Sequence, residues 1–450
     1  MGKKELLKLI CWKLIQFYKK KRNLQSYYLH FFCTLFTSFN AIGQVDTLFP
    51  TQKLEYTEYL KRVTQNNLSL LIEKFNIDLA QAQILIAKVL PDPTLEFMLG
   101  DNGERRMGLG YAYSASLSWE VPLGKKRKAR IKLAQEEMEL AKLLVSDFFR
   151  NLRAQATLAY VESLKQRKIL EAVYQSWKNI YQLAQGDSLR FIAGAISEID
   201  ARQSKVEAGM LFNQLLEAQA NWKNSLVQLS QWQGLAVKDT LFYSQGSLNN
   251  LERNYDLSQL IENAIATRTD ILAAHQNHKR AQSLLQLVRA NRITDISIAL
   301  GISGNTVQYN VVAPTPSFTT ISGTIAMPLK FSNNLKGDIQ QAELTVLQTA
   351  KVREQIALQI ETEVISAFNL YQARRKQAQQ FESGLLTEAQ KVLAGKVYSY
   401  QRGESSLLEV LNAQRTYNEL QINYYETLAN YANALIDLQR VAGIWDIYSF

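Results

Sequence analysis

Cysteine is nearly missing from this chain: 450 residues contain two, Cys11 and Cys33. Both fall within the first 43 positions. There a basic region ending at Lys19-Lys20-Lys21-Arg22 leads into an apolar core from Tyr27 to Phe39, followed by the small-residue site Ala41-Ile42-Gly43. That order has the layout of an export signal, with a weakly inserted membrane anchor as the alternative. Once residues 1–43 are removed the mature chain has no thiol, which excludes disulfide staples and thiolate nucleophiles. His30-Phe31-Phe32 before Cys33 does not resemble a lipid-attachment box, so an unlipidated protein is expected. Histidine is almost as scarce. His275 and His278 stand three apart on a predicted helix, and two such residues with no third histidine or cysteine left in the mature chain do not make a zinc site. No nucleophile elbow, phosphate loop or dinucleotide fingerprint is present, so neither an enzyme nor a bound cofactor is expected. Uninterrupted apolar runs are short too. None approaches eighteen residues, which argues against a membrane-spanning helix but not against a strand barrel, whose alternating pattern escapes hydropathy.

What is present is a basic balance, and its location matters. The formal charge is +10, yet residues 1–43 hold eight Lys and Arg against Glu5 alone. The remainder carries 43 basic against 40 acidic residues, which argues against a nucleic-acid partner.

The stretch Tyr113–Arg130, YSASLSWEVPLGKKRKAR, organises the rest. Tyr113, Ala115, Leu117, Trp119 and Val121 alternate with Ser114, Ser116, Ser118 and Glu120, the period of a strand with unlike faces. Pro122 ends it, and beyond Gly124 the basic cluster Lys125–Lys128 opens a proline-free stretch with helical spacing to Ile192. At 1.5 Å per residue such a helix runs roughly 100 Å and needs neighbours along its length. Upstream, Leu54–Leu90 reads as helix, Pro91-Asp92-Pro93 stops it, and Thr94–Gly100 is a first strand that makes a hairpin with the second.

The same order recurs. Ile321, Ile325 and Met327 alternate with Ser322, Thr324 and Ala326, and Pro328 closes that run. Before it come a predicted helix over Leu257–Arg292 and a strand over Thr294–Gly301; after it comes a long helix from about Asp338 to Tyr400. Gly194, followed by Ser197 and Asp200, has the chemistry of a helix stop and a capping box. Gly403, Ser406 and Glu409 repeat that set 209 positions later, and the register carries on to Gly234 and Gly443. The chain is therefore a duplicated helix-strand-strand-helix-helix unit. Its expected divisions are a signal peptide (1–43), a lead-in (44–55), a first repeat (56–234), a polar linker (235–255), a second repeat (256–443) and a tail (444–450).

Each copy offers two strands long enough to cross a bilayer, but four strands cannot close a barrel, and open edges are intolerable in lipid. Copies must pool strands: eight in a dimer, twelve in a trimer. Tyr111, Tyr113, Trp119, Tyr309 and Phe318 sit near strand ends, where aromatic belts form. Two soluble hairpins capping a coiled coil would also show the alternation.

Tyr400–Arg415, YQRGESSLLEVLNAQR, resembles the second helix-hairpin tip of the TolC-like outer membrane efflux proteins, and Arg190–Asp200 is a weaker likeness of the first. Val121-Pro122-Leu123 and Met327-Pro328-Leu329 are similar to that family's strand-to-helix joint. The resemblance implies a mainly α fold with transmembrane β. It further implies a homotrimer, whose twelve-stranded β-barrel in outer-membrane lipid continues as an α-helical barrel into the periplasm. It also implies a periplasmic adaptor and an inner-membrane pump as partners. Carried over, Leu408 and Asn412 line a constriction at the periplasmic tip, Arg415 tethers it, and Ile199 and Gln203 are the first-copy positions corresponding to Leu408 and Asn412. The family's usual aspartate is Asn412 here, which weakens any acidic ring at that level. The reading is a passive exit duct of a tripartite efflux pump. The alternative is a periplasmic coiled-coil adaptor that forms no pore, although such proteins carry one hairpin between β-rich domains.

Overall fold

The computed structural model describes residues 51–450 apart from 104–106, 237–239, 250, 330 and 332–333; the predicted signal peptide lies outside the described residues. In chain order the elements are β1 (Thr51–Leu54), α1 (Tyr56–Asn66), α2 (Leu68–Lys88), β2 (Thr94–Asp101), β3 (Tyr111–Val121), α3 (Lys126–Ile192) and α4 (Glu198–Trp232). They are followed by β4 (Leu241–Ser244), α5 (Leu257–Thr267), α6 (Thr269–Ala290), β5 (Ile296–Asn305) and β6 (Phe318–Ala326). The last are α7 (Lys336–Gln380), a π-helical turn (Phe381–Leu385), α8 (Leu386–Gln401) and α9 (Leu407–Ala442). Strands β2, β3, β5 and β6 form one antiparallel sheet in that order, so the two hairpins of the duplicated unit meet at the β3–β5 ladder.

The helix expected over Leu54–Leu90 is two helices, broken at Asn67. Its side-chain oxygen accepts from Leu70 N (3.1 Å), capping α2, while Nδ2 donates to Trp232 O at the end of α4 (3.0 Å). In the second copy the break falls at Arg268, only 3% exposed, which donates to Val441 O (2.9 Å) near the end of α9 and pairs with Asp270 (2.6 Å) and Glu363 (2.8 Å). A guanidinium is buried at tolerable cost when its fork is filled in this way. In both copies, then, the entering helix is pinned at its break to the end of the returning one. Gly234 permits the first contact, because a Cβ there would overlap Asn66 O.

The expected second long helix is also interrupted. Gly384, with φ of 102°, sits inside the π turn and separates α7 from α8, whereas α3 runs unbroken for 67 residues. The stretch 235–255 is less irregular than its polarity suggests. It forms β4, which pairs with β1, and buries Leu241, Leu248 and Leu251.

A belt of extended chain lies against the long helices of both copies. Tyr160 on α3 is fully buried, with its hydroxyl 2.8 Å from Leu54 O and 2.7 Å from Gln245 O. Tyr371 on α7, equally buried, accepts from Arg253 N (3.0 Å). Each tyrosine thus staples a strap of extended chain onto its helix, with the ring buried and the hydroxyl satisfied.

Candidate functional site

Two regions of the molecule are built for more than packing: the sheet and the far end of the helical hairpins. Register aligns the sheet's side chains in rows. Phe97, Ala115, Ile302 and Ile321 form one row, and Leu95, Leu117, Leu300 and Gly323 the next. Trp119, Ile298 and Ile325 extend the same face. On the opposite face, Glu96, Ser116, Gly301 and Ser322 are aligned, as are Thr94, Ser118, Ala299 and Thr324. One side is therefore a continuous apolar wall and the other is small and polar. The wall is bare: Phe97 is 72% exposed, Ile321 83% and Ile325 75%. Strands β2 and β6 are exposed at every position and form the two unpaired edges. Tyr113 lies over Gly304, where a Cβ would strike its ring, and its hydroxyl is 2.8 Å from Thr319 Oγ1. Of the strand-end aromatics, Tyr111, Trp119, Tyr309 and Phe318 are exposed.

Pro122 and Pro328 stand just beyond β3 and β6, and each joint then turns through a left-handed residue before its helix, Lys125 at φ 61° and Leu335 at φ 58°. Non-glycine residues in that region carry strain, so something must hold them. In the first copy it is Asp295, which accepts from Leu123 N (2.9 Å) and pairs with Lys126 (2.7 Å).

At the other end, the turns follow the predicted chemistry. Gly194 takes φ 72°, Ala195 N donates back to Arg190 O (2.8 Å), and Ser197 Oγ caps α4 by accepting from Asp200 N (3.1 Å). Gly403 takes φ 81°, Glu404 N donates to Ser399 O (2.9 Å), and Ser406 Oγ accepts from Glu409 N (3.4 Å). Glu409 also pairs with Lys396 at 2.5 Å. Leu408 and Asn412 are exposed one turn apart on α9; Ile199 and Gln203 are exposed at the same spacing on α4. Arg415 reaches across to α4 with a two-pronged pair to Glu207 (2.8 and 3.1 Å). The structure thus ties Arg415 to the first hairpin and leaves the other four free of packing.

One contact at this end was not legible in the sequence. Asp187 on α3, 1% exposed, accepts from Tyr400 Oη on α8 (2.9 Å), and the Arg190 guanidinium lies 4.8 Å over the Tyr400 ring. Burial pushes the Asp187 carboxyl above its ordinary range, against the opposing pull of the Tyr400 hydrogen bond. The two residues are 213 positions apart, and this bond joins one hairpin to the other. Beside it a groove of about 1020 Å³ opens between α3 and α8, lined by Gln175, Asn179, Asp187, Gln401, Gln414 and Tyr417. The histidines take no part: His278 is hydrogen-bonded on both ring nitrogens, to Thr349 and Gln282 (both 3.0 Å). No cluster of metal-ligating side chains occurs among the described residues.

Compared with known proteins, residues 59–235 and 260–444 each match the family model described as outer membrane efflux protein. The chain belongs to that family. The two matched segments correspond to the two copies of the duplicated unit. Among curated relatives, the cobalt-zinc-cadmium resistance protein CzcC of Cupriavidus metallidurans is 23% identical over 415 residues, spanning 90% of this chain and 95% of CzcC. Among solved structures, CusC superposes with a TM-score of 0.69 at 16% identity, covering 90% of this chain and 96% of its own. The Campylobacter jejuni CmeC outer membrane channel gives 0.70 at 15% identity, covering 90% and 91%. As a member of the outer membrane efflux proteins, the chain is an efflux channel of the outer membrane with its helical part in the periplasm. It is the exit duct of a tripartite system that also includes an adaptor and an inner-membrane pump. Its relatives are channel proteins, and the pore-less adaptor reading is not favoured.

Proposed function

We propose that three copies of this chain close one barrel and one tunnel, and that the assembly conducts cargo passively, with no chemistry of its own, while a pump elsewhere supplies the free energy. The observation that carries this reading is the open four-stranded sheet with one exposed apolar wall. In lipid such edges cost several kcal/mol per unsatisfied group, so β2 of one copy pairs with β6 of the next. The number of copies follows from what lines the inside. Eight strands leave an interior only about wide enough for side chains to fill, whereas the inner face here is mostly Ser, Thr, Gly and Ala, suited to a wider water-filled lumen. A trimer, with twelve strands, provides that lumen.

At the periplasmic tip, Leu408 and Asn412 with Ile199 and Gln203 form the constriction, and Arg415 holds the second hairpin against the first through Glu207. The adaptor docks on the helical tunnel. The match to a cobalt-zinc-cadmium resistance protein over nearly its whole length supports divalent transition-metal cations as cargo. The purified protein is expected to migrate as a detergent-stable trimer and to conduct ions across a planar bilayer; a non-conducting monomer contradicts the proposal. Loss of the gene is expected to sensitise cells to cobalt, zinc and cadmium. Sensitivity to organic toxicants alone would leave the channel standing and overturn the cargo.

A further inference from the structure

The basic run Lys125–Lys128 is not accounted for by conduction. A helix start favours acidic side chains, yet the first turn of α3 contains none. Two of the four cations have structural partners: Lys126 pairs with Asp295 (2.7 Å), and Arg127 Nε donates to Lys88 O (2.8 Å). Lys125 and Lys128 do not, and with Lys132 one turn further along they are exposed, with no carboxylate partner among the described residues. These three, with Arg127, Ile131, Gln135 and Glu136, line a surface hollow of about 640 Å³. Of the nearest acids on α3, Glu136 accepts from Gln276 (2.6 Å), Glu139 pairs with Lys142 (2.7 Å), and Glu137 lies roughly 140° round the helix from Lys132.

The direction in which the lysines point can be read from the helix itself. Steps of three and four residues carry one stripe of α3 from Lys125, Lys128 and Lys132 to Arg150, Arg153, Thr157 and Tyr160. On that stripe Arg153 stacks on Trp445 of the C-terminal segment (4.2 Å) and Thr157 meets Tyr56 Oη of α1 (3.0 Å), while Arg150 donates to Arg440 O at the end of α9 (3.0 Å). Helix α1 and the C-terminal segment therefore cover this side, and since they cannot fill a conducting tunnel, the stripe faces outward. The level is fixed by the strand. Val121 ends β3 and the apolar wall, so Lys125 to Lys132 span roughly the next 10 Å at helical rise, and the headgroup layer beyond each side of the hydrocarbon core is about 5–8 Å thick. Long lysine side chains bridge the difference.

We infer that Lys125, Lys128 and Lys132 form a docking site for the phosphate of an anionic phospholipid in the periplasmic leaflet, so that three copies carry a basic girdle beneath the barrel. This rests on the reading of the sheet as a membrane stave. Each lysine near an anionic surface contributes roughly a fivefold preference, so three give a preference on the order of a hundredfold at low salt.

The experiment takes the purified full-length oligomer in neutral detergent and measures, by native mass spectrometry, how tightly phosphatidylglycerol and phosphatidylethanolamine are retained. The wild type is expected to prefer phosphatidylglycerol on the order of a hundredfold, with the preference collapsing in high salt. The triple variant Lys125→Gln, Lys128→Gln, Lys132→Gln is expected to lose it, and the triple Lys→Arg variant to keep it, both with unchanged conductance. Equal retention of the two lipids by wild type, a preference that survives the Gln variant, or displacement of the lipid by equimolar glycerol phosphate each overturns the inference. If the Gln variant does not assemble, loss of the preference at high salt and its persistence in the Arg variant decide the matter. A wild-type protein that forms no conducting oligomer removes the channel reading; one that conducts without lipid preference removes only the girdle.

Discussion

Replacing Tyr400 with Phe removes one hydroxyl and little else. The ring keeps its place beneath Arg190, 4.8 Å from the guanidinium, but Asp187 loses the Tyr400 hydroxyl at 2.9 Å while keeping Arg190 at 3.7 Å. A hydrogen bond to a charged group contributes about 1.5–3 kcal/mol, so a loss of about 2 kcal/mol per subunit shifts the separation of the two hairpins roughly thirtyfold. Because α8 and α9 share the tip turn at Gly403, a freed α8 should carry Leu408 and Asn412 away from the proposed constriction. Single-channel recordings of Tyr400→Phe in planar bilayers are expected to show larger or longer openings than wild type. A pH titration adds an independent sign. Burial raises the Asp187 carboxyl above the ordinary value of 3.8, so its contribution to hairpin closure is fullest below that value and is lost as pH rises through the folded one. Without Tyr400 that folded value moves further up, and the pH at which conductance rises should move up with it. Wild-type conductance and an unshifted pH profile in the variant would refute the reasoning, because the bond would then be only one of many that pack α3 on α8.

Other perturbations test other levels. Leu408→Ala with Asn412→Ala is expected to raise conductance and antibiotic uptake; no change in either removes those residues from the proposed gate. On the sheet, Ile321→Lys places a charge on the apolar wall at a cost of about 2–4 kcal/mol and should block assembly, while its neighbour Ser322→Lys on the opposite face should assemble normally, as judged by heat-stable trimer on gels. Two glycines of the second hairpin should respond with opposite signs in thermal denaturation. Gly384→Ala, at φ 102°, should destabilise by about 1–2 kcal/mol, whereas Gly395→Ala, in regular helix with open space around it, should stabilise by about 0.5–1 kcal/mol.

The sequence revealed the architecture where a local rule acted alone. Alternation up to Pro122 marked a strand with two unlike faces, the absence of proline from Lys126 to Ile192 marked the long helix, and Ser197 with Asp200 marked a cap; α3 and the cap on α4 lie at those positions. It failed where a distant residue decided the outcome. Asn67 and Arg268 are unremarkable in a helical pattern, and they break it because Trp232 O and Val441 O accept from them across the fold. Gly384 departs from helix while Gly186 and Gly395 remain in it, so glycine content alone does not locate the π turn. The tip turns were readable from capping chemistry, but the Asp187–Tyr400 bond was not, since nothing in either neighbourhood announces a partner two hundred residues away.

Whether β2 of one polypeptide truly meets β6 of another can be asked directly by cross-linking. With Met98→Cys on β2 and Thr320→Cys on β6, treated in intact outer membranes with a short flexible bis-maleimide, the account predicts covalent dimers and trimers and no larger species. Cross-links confined within single chains, or none at all, would contradict it.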